Sequence, residues 1–379
     1  MVPPDKINVL IVCPVYAPHV GGGGQYFPLL VKELNKSDVV GKIIVLTENH
    51  SERSRVSVED GSIVYRLLPQ RDSLSDKSLL YSILSFMFTY CILYFSIPFL
   101  LIRYQVSILH YTRYLRRSFY FLTYLSKNVF KVKIILDMRT TVENIDVLKC
   151  LFGVDCIISN SEAVFNQINH AGFPGKCHIL VENPMYFPEA FMEIELNRLL
   201  VEISSEIRRP YLLFLGQLLE RKSIYEILDA FEVFNDREPE FRLIIAGRNM
   251  LGKHIINRIK GIKNAIYVGP VWHQHAIALI QGSELVLQPS KIEGIPRVSL
   301  EALSLGKKVL LPPCVPEFLE SCPEFCPNEI SPEIISSCIE KILSYENVPE
   351  YDLKKHEAQK SISKVINIYK KVIKTKDQI

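Results

Sequence analysis

Short apolar runs recur along the chain, and helical periodicity fills most of the gaps between them. The first set is INVLIVC at 7–13, KIIVLT at 42–47, SIVYRLL at 62–68, VSILHY at 106–111, VKIILDM at 132–138, VDCIISNS at 154–161 and CHILVEN at 177–183. These runs are rich in β-branched residues and mostly continuous rather than alternating, which is how parallel strands buried on both faces read. Helical patterns follow at Tyr26–Leu34 and Glu162–His170. The pattern weakens over 184–209 into a Pro- and Glu-containing connection. It restarts with YLLFLG at 211–216, FRLIIAG at 241–247, AIYVG at 265–269, ELVLQ at 284–288 and KKVLL at 307–311. Alternation of this kind predicts an α/β protein of two Rossmann-like domains. The boundaries fall at 1–190 and 191–355, and 356–379 forms a C-terminal helix packing back toward the first domain.

One window departs from the pattern. From Leu79 to Ile102 the chain carries 24 residues without a charge, long enough by itself to span a bilayer. A span would separate the strands before it from their sheet partners after it, and Pro98 interrupts the segment. The expectation is one or two helices over about 77–102 lying on the sheet, with one face left for a membrane surface; the alternative is a pair of fully buried core helices. Charge favours the surface. Between Asp76 and Asp137 there is no acidic residue, while Lys77, Arg103, Arg113, Arg116, Arg117, Lys127, Lys131 and Lys133 all lie inside. Such a stretch suits anionic headgroups. The net charge of the chain is only +3, too small for a dedicated nucleic-acid binder. The N-terminal apolar run Ile7–Val12 is too short for a signal peptide. Nine cysteines, an odd number mostly within apolar runs, read as reduced thiols of a cytoplasmic protein.

Candidate chemistry concentrates in EGIPRVSLE, Glu293–Glu301, which follows ELVLQ and leads into an apolar-periodic segment ending at Gly306. The order is strand, loop, helix, with Pro296 suited to the first helical position. Unpaired N–H groups at a helix start favour an anion, so carboxylates beside it bind ligand hydroxyls rather than the anion itself. Gly21–Gly24, after the first strand, is a plain glycine run and lacks the dinucleotide fingerprint. It reads either as a flexible loop or as backbone brought close to a phosphate or sugar.

YLLFLGQLLERKSIYEILDAFEVF, FRLIIAG, AIYVGPV and EGIPRVSLEALSLGKKV, taken in that order, resemble glycosyltransferase family 4, and so does INVLIVCPVYAPHVGGGGQY in the first half. The resemblance covers nearly the whole chain and implies the GT-B fold, two Rossmann-like domains facing across a cleft. It also implies a retaining transferase that uses a nucleotide-diphosphate sugar and requires neither metal nor other cofactor. By the same resemblance Glu301 binds ribose, Glu293 contacts hydroxyls of the donor sugar, and Lys222 neutralises the diphosphate. Gly294 and Ile295, with Pro296, line the donor site; Gly22 and Gly23 match the loop over the reacting centre. The sequence departs from the family where Gly216 is followed by Gln217 rather than arginine. Arg248 is a candidate substitute, and Arg221 points elsewhere if its turn is regular. Ser223 replaces a common glycine. The first domain lacks the usual histidine and instead has Asp137, Arg139 and Glu143. There Arg139 is either a catalytic-cleft residue near phosphate or acceptor, or half of an Asp–Arg pair fixing a strand end. His110 reads as structural, and His273 and His275 have no assigned role.

Three functions remain open at this stage. The first is a transferase, peripheral on the cytoplasmic face of the membrane, with a lipid-linked acceptor in surface polysaccharide or glycoconjugate synthesis. The second is a soluble transferase with a small-molecule or protein acceptor. The third is a GT-B protein that binds a sugar nucleotide without turning it over.

Overall fold

The computed structural model describes residues 6–17, 22–69, 79–112, 117–139, 153–171 and 177–374. Two compact units emerge: Met1–Met185 with Lys355–Ile379, and Tyr186–Lys354. The chain thus leaves the first unit five residues earlier than 190, and its last helix belongs to that unit.

In the first unit, chain order runs β1 (Ile7–Val12), α1 (Gly22–Leu34), β2 (Val40–Glu48), β3 (Val56–Glu59), β4 (Ser62–Leu68), α2 (Leu79–Arg103), β5 (Ile108–Tyr111), α3 (Arg117–Asn128), β6 (Lys133–Met138), β7 (Cys156–Ser159), α4 (Glu162–His170) and β8 (His178–Leu180). The sheet order is β3-β4-β2-β1-β5-β6-β7-β8. Every neighbouring pair is parallel except β3–β4. That hairpin turns through Asp60 and Gly61, both at positive φ, the conformation a tight hairpin turn needs. Strand β1 shows the two-sided burial of a central strand. Val9 and Ile11 join one core cluster, while Leu10 and Val12 join the other, as a side-chain period of two dictates.

The two faces are covered differently. On the first, α1 packs beside the C-terminal helix of the chain, residues 358–374. That helix buries Ala358, Ile362, Val365, Ile368, Tyr369 and Val372, a spacing that keeps one stripe toward the sheet. On the second face lies α2, a single continuous helix with Pro98 inside it, rather than two helices broken at the proline. Tyr90, Leu93, Ile97, Leu100 and Leu101 face the core. Leu84, Met87, Phe88, Phe95, Phe99 and Ile102 are exposed, and Phe121 and Tyr124 of α3 extend the exposed set. Tyr94 approaches Phe121, with ring centroids 6.2 Å apart. Leu84–Arg103 is long and apolar enough to cross a membrane, yet one stripe of it is part of the sheet's core.

The second unit runs α5 (Glu193–Ile203), β9 (Tyr211–Leu215), α6 (Ile224–Arg237), β10 (Arg242–Ala246), α7 (Lys253–Gly261), β11 (Ala265–Gly269), α8 (His273–Gly282), β12 (Leu285–Leu287), α9 (Arg297–Ser304), β13 (Lys308–Leu310), α10 (Pro316–Ser321) and α11 (Pro332–Ser344). Helix α5 occupies part of the stretch read as a connection, burying Leu196, Leu199 and Leu200. The sheet is fully parallel, in the order β11-β10-β9-β12-β13. Strand order therefore reverses direction between β9 and β12. Ligands of open α/β sheets bind beyond the carboxyl ends of the strands at such a reversal.

Glycines shape that edge. Gly216, Gly247 and Gly269 follow or end β9, β10 and β11, all at positive φ. Gly247 has no room for a side chain: a Cβ there would lie 1.8 Å from the Gly216 carbonyl oxygen. Gly247→Ala is expected to destabilise the protein by about 3 kcal/mol, since backbone rather than a flexible side chain must move. Denaturant unfolding checks this; a loss below about 1 kcal/mol would mean that the two loops can separate cheaply.

Candidate active site

The site is built where β9 and β12 part. Their pairing covers only Leu285↔Leu212 and Val286↔Leu213. Beyond it the buried Gln288 side chain takes over, donating from Nε2 to the Leu215 carbonyl at 3.0 Å, while its backbone N–H donates to Leu310 at 2.9 Å. A buried amide in this place holds the strand ends at a fixed separation and satisfies a carbonyl that the ladder no longer reaches.

The loop after β9 ends in a 3₁₀ turn, Glu220–Lys222, and the loop after β12 carries Glu293. Backbone joins the two, because the Lys291 N–H donates to the Arg221 carbonyl at 2.8 Å. Lys222 Nζ then donates to Glu293 Oε1 at 2.7 Å and Arg221 Nη1 to Oε2 at 2.7 Å; Arg221 also reaches the Ile292 carbonyl at 3.0 Å. The expectation that Arg221 points elsewhere is corrected here. The Glu293 loop is held against this turn by the Lys291–Arg221 backbone bond, and both cations converge on one carboxylate. Lys222 is buried and Glu293 half-buried, so the pairs are partly desolvated and charge-assisted.

Ser223, which replaces a glycine common in the family the sequence resembles, is also at positive φ, 58°. It is fully buried, and among the described residues its hydroxyl has no hydrogen-bond partner.

Arg248 and Gln217 are exposed. The Leu218 N–H donates to the Arg248 carbonyl at 2.9 Å, which sets the Arg248 backbone alongside the turn that holds Gln217. Gly294, Ile295 and Pro296 are buried and lead into α9. Pro296 is the cap of that helix rather than its first residue, and Arg297 opens it.

Glu301 lies inside α9 and is buried. Burial pushes its carboxyl up to about 7, against a smaller opposing pull from Arg297, one turn earlier. His273, at the start of α8, approaches with Nδ1 4.0 Å from Glu301 Oε1, and burial, with the Arg297 charge second, lowers its basicity. No sequence pattern signals this neighbour. His275, by contrast, turns to Glu202 at 3.2 Å.

Gly22, Gly23 and Arg139 belong to the first unit. Gly22 and Gly23 open α1; Gly21 and Glu143 lie outside the described residues. Arg139 Nε is 3.0 Å from Asp137 Oδ1, its Nη1 donates to Asn183 Oδ1 at 3.0 Å, and its guanidinium lies 3.2 Å from the centre of the Tyr26 ring. The arginine is thus half of the Asp–Arg pair, with 17 % of its side chain exposed. Asp137 is fully buried, receives the Tyr26 hydroxyl at 2.7 Å, and sits 3.3 Å from His110 Nε2. His110 in turn lies 2.7 Å, through Nδ1, from the Tyr369 hydroxyl. That makes His110 structural: it ties the C-terminal helix to the sheet. Among the described residues no group of three or more His, Cys, Asp or Glu is arranged to hold a metal ion.

Residues 202–321 match the family described as glycosyl transferases group 1. No curated protein matches the chain significantly. Solved structures are similar over nearly the full length. A glycosyltransferase from Rickettsia africae ESF-5 is 15 % identical with a TM-score of 0.72, covering 98 % of this chain and 100 % of its own. Sucrose-phosphate synthase from Thermosynechococcus elongatus is 13 % identical, TM-score 0.68, covering 97 % and 96 %. Anabaena Alr3699/HepE, solved with UDP and glucose, is 13 % identical, TM-score 0.64, covering 97 % and 98 %. At such identities the likeness establishes the fold, which is GT-B.

Two outcomes follow from the site itself. Ser223→Gly should raise stability by about 1 kcal/mol, because the left-handed residue and its unpartnered hydroxyl both cost more than glycine's added chain entropy. A lower unfolding midpoint would show that the serine has a partner in solution. The second outcome concerns pH. With the Glu301 pKa raised above its unfolded value, its protonated form stabilises the fold most at low pH, and that contribution is lost as pH rises from about 4.5 through about 7. Glu301→Gln should flatten stability over that window. A curve equal to that of the wild type would place the carboxylate in water.

Proposed function

From the premise that this chain is a glycosyltransferase with a group 1 domain at residues 202–321, we propose that it moves a sugar from a nucleotide-diphosphate donor, with retention, to a lipid-linked or membrane-associated acceptor. The reaction would serve surface polysaccharide or glycoconjugate assembly, at the cytoplasmic face of the membrane. One observation carries the donor side: a single carboxylate, Glu293, clamped between Lys222 and Arg221 at the strand-order reversal. Two cations gathered around one anion form a site for a second anion, and a departing diphosphate is that anion. Arg221 supplies the positive charge that Gln217 lacks. In the loaded enzyme the cations turn to the diphosphate and Glu293 is released to hydroxyls of the sugar. Glu301 accepts from the ribose, and Arg139 positions Tyr26 and the end of β6. Charge developing on the leaving group is met by groups already in place, the arrangement that lowers such barriers most. No metal is assigned to the reaction, and the leaving phosphate takes the acceptor proton.

The donor reading is tested by nucleotide release across a panel of sugar nucleotides, with calorimetry of the free nucleoside diphosphates. Lys222→Ala should weaken diphosphate binding and cut turnover about 100-fold. Glu293→Gln should cut turnover similarly while tightening nucleoside diphosphate binding, because it frees both cations. Weaker binding in Glu293→Gln would contradict the clamp. A wild type that binds nucleotides but turns over no donor would favour the non-catalytic reading.

The acceptor side rests on the exposed stripe of α2, which ends at the exposed Arg103, together with Phe121 and Tyr124. Aromatic and basic side chains on one face suit an anionic bilayer surface. Phe88→Ser combined with Phe95→Ser should abolish co-sedimentation with anionic vesicles and leave nucleotide binding intact. If the wild type does not sediment with such vesicles, the acceptor is soluble.

A further inference from the structure

The chain has a single tryptophan, Trp272, and 63 % of it is exposed. An indole is a large apolar surface that folding ordinarily buries. Among the described residues it has neither a ring contact nor a side-chain hydrogen bond, although its backbone is fixed: Trp272 caps α8, and its carbonyl accepts from the Ala276 N–H at 2.9 Å. It stands just beyond the carboxyl end of β11, on the same edge of the sheet as the Arg221–Lys222–Glu293 clamp. The adjoining residue locates it further. His273 Nδ1 is 4.0 Å from the Glu301 carboxylate, and the Trp272 Cα is about 3.8 Å from that of His273.

We propose that Trp272 is a nucleobase platform, the stacking surface for the base of the donor nucleotide. The proposal rests on the assignment of Glu301 to the ribose. The base is bonded directly to that ribose, so an aromatic plane one residue from the group facing Glu301 lies within reach of one nucleoside. Stacking is tolerant of base identity because every base has a π-face. Trp272 therefore supplies affinity common to all nucleoside diphosphates, and choice among bases comes from other contacts.

The test uses the full chain with UDP, ADP and inorganic pyrophosphate. Both nucleotides should quench the fluorescence of the lone tryptophan, and pyrophosphate should bind, by calorimetry, without quenching. Trp272→Ala should weaken UDP and ADP about tenfold, the size of one lost stack, and leave pyrophosphate unchanged; Trp272→Phe should restore most of the loss. Equal weakening for pyrophosphate would mean a structural role and overturn the platform. So would unchanged UDP affinity in Trp272→Ala. Wild-type binding of neither nucleotide, with pyrophosphate binding retained or lost, would overturn the ribose assignment together with the platform.

Discussion

Everything proposed for the second unit depends on the parting of two parallel strands. β9 and β12 pair over two residues, and then Gln288 spans the gap with its side chain. The separation gives the two following loops room to face each other, and their backbone contact through Lys291 and Arg221 keeps them in register. Lys222, Arg221 and Glu293 meet as a consequence. The interaction that matters is therefore not any one ion pair. It is the fixed gap that makes those pairs geometrically available, with Gly247 permitting the close approach of the neighbouring turn.

The first unit shows a different use of buried polarity. Tyr26, Asp137, His110 and Tyr369 form a chain of contacts linking α1, two central strands and the C-terminal helix. Desolvation raises the pKa of Asp137, against a smaller opposing pull from its contact with His110. Such a network is costly when half satisfied and specific when complete. It fixes the final helix in one position on the sheet, beside a core made mostly of aliphatic side chains. Arg139, stacked on Tyr26, is bound into the same network at its exposed end.

Much of this was legible in the sequence for a physical reason. Strands buried on both faces need unbroken apolar runs, so each core strand announced itself, and glycines marked the sheet edge. The omissions have equally specific causes. β3 is exposed on alternate residues and has no apolar run, although its Asp60–Gly61 turn was a usable hairpin signal. α5 hides among Glu and Pro because only three leucines of it are buried. α2 stays continuous through Pro98 although the proline suggested a break. Side-chain convergence was the hardest to see. Glu293 and Lys222 could be named from motifs, but Arg221 joining them depends on a backbone bond between two loops far apart in sequence, and His273 meeting Glu301 depends on packing across two helices.

The central claim is that nucleotide diphosphate binds at the reversal between β9 and β12, and a crystal structure of the chain saturated with UDP tests it most directly. The account predicts diphosphate oxygens within hydrogen-bond distance of Lys222 and Arg221, ribose hydroxyls at Glu301, and Glu293 turned away from both cations. UDP bound elsewhere, or bound there with Glu293 still clamped between Arg221 and Lys222, would contradict it.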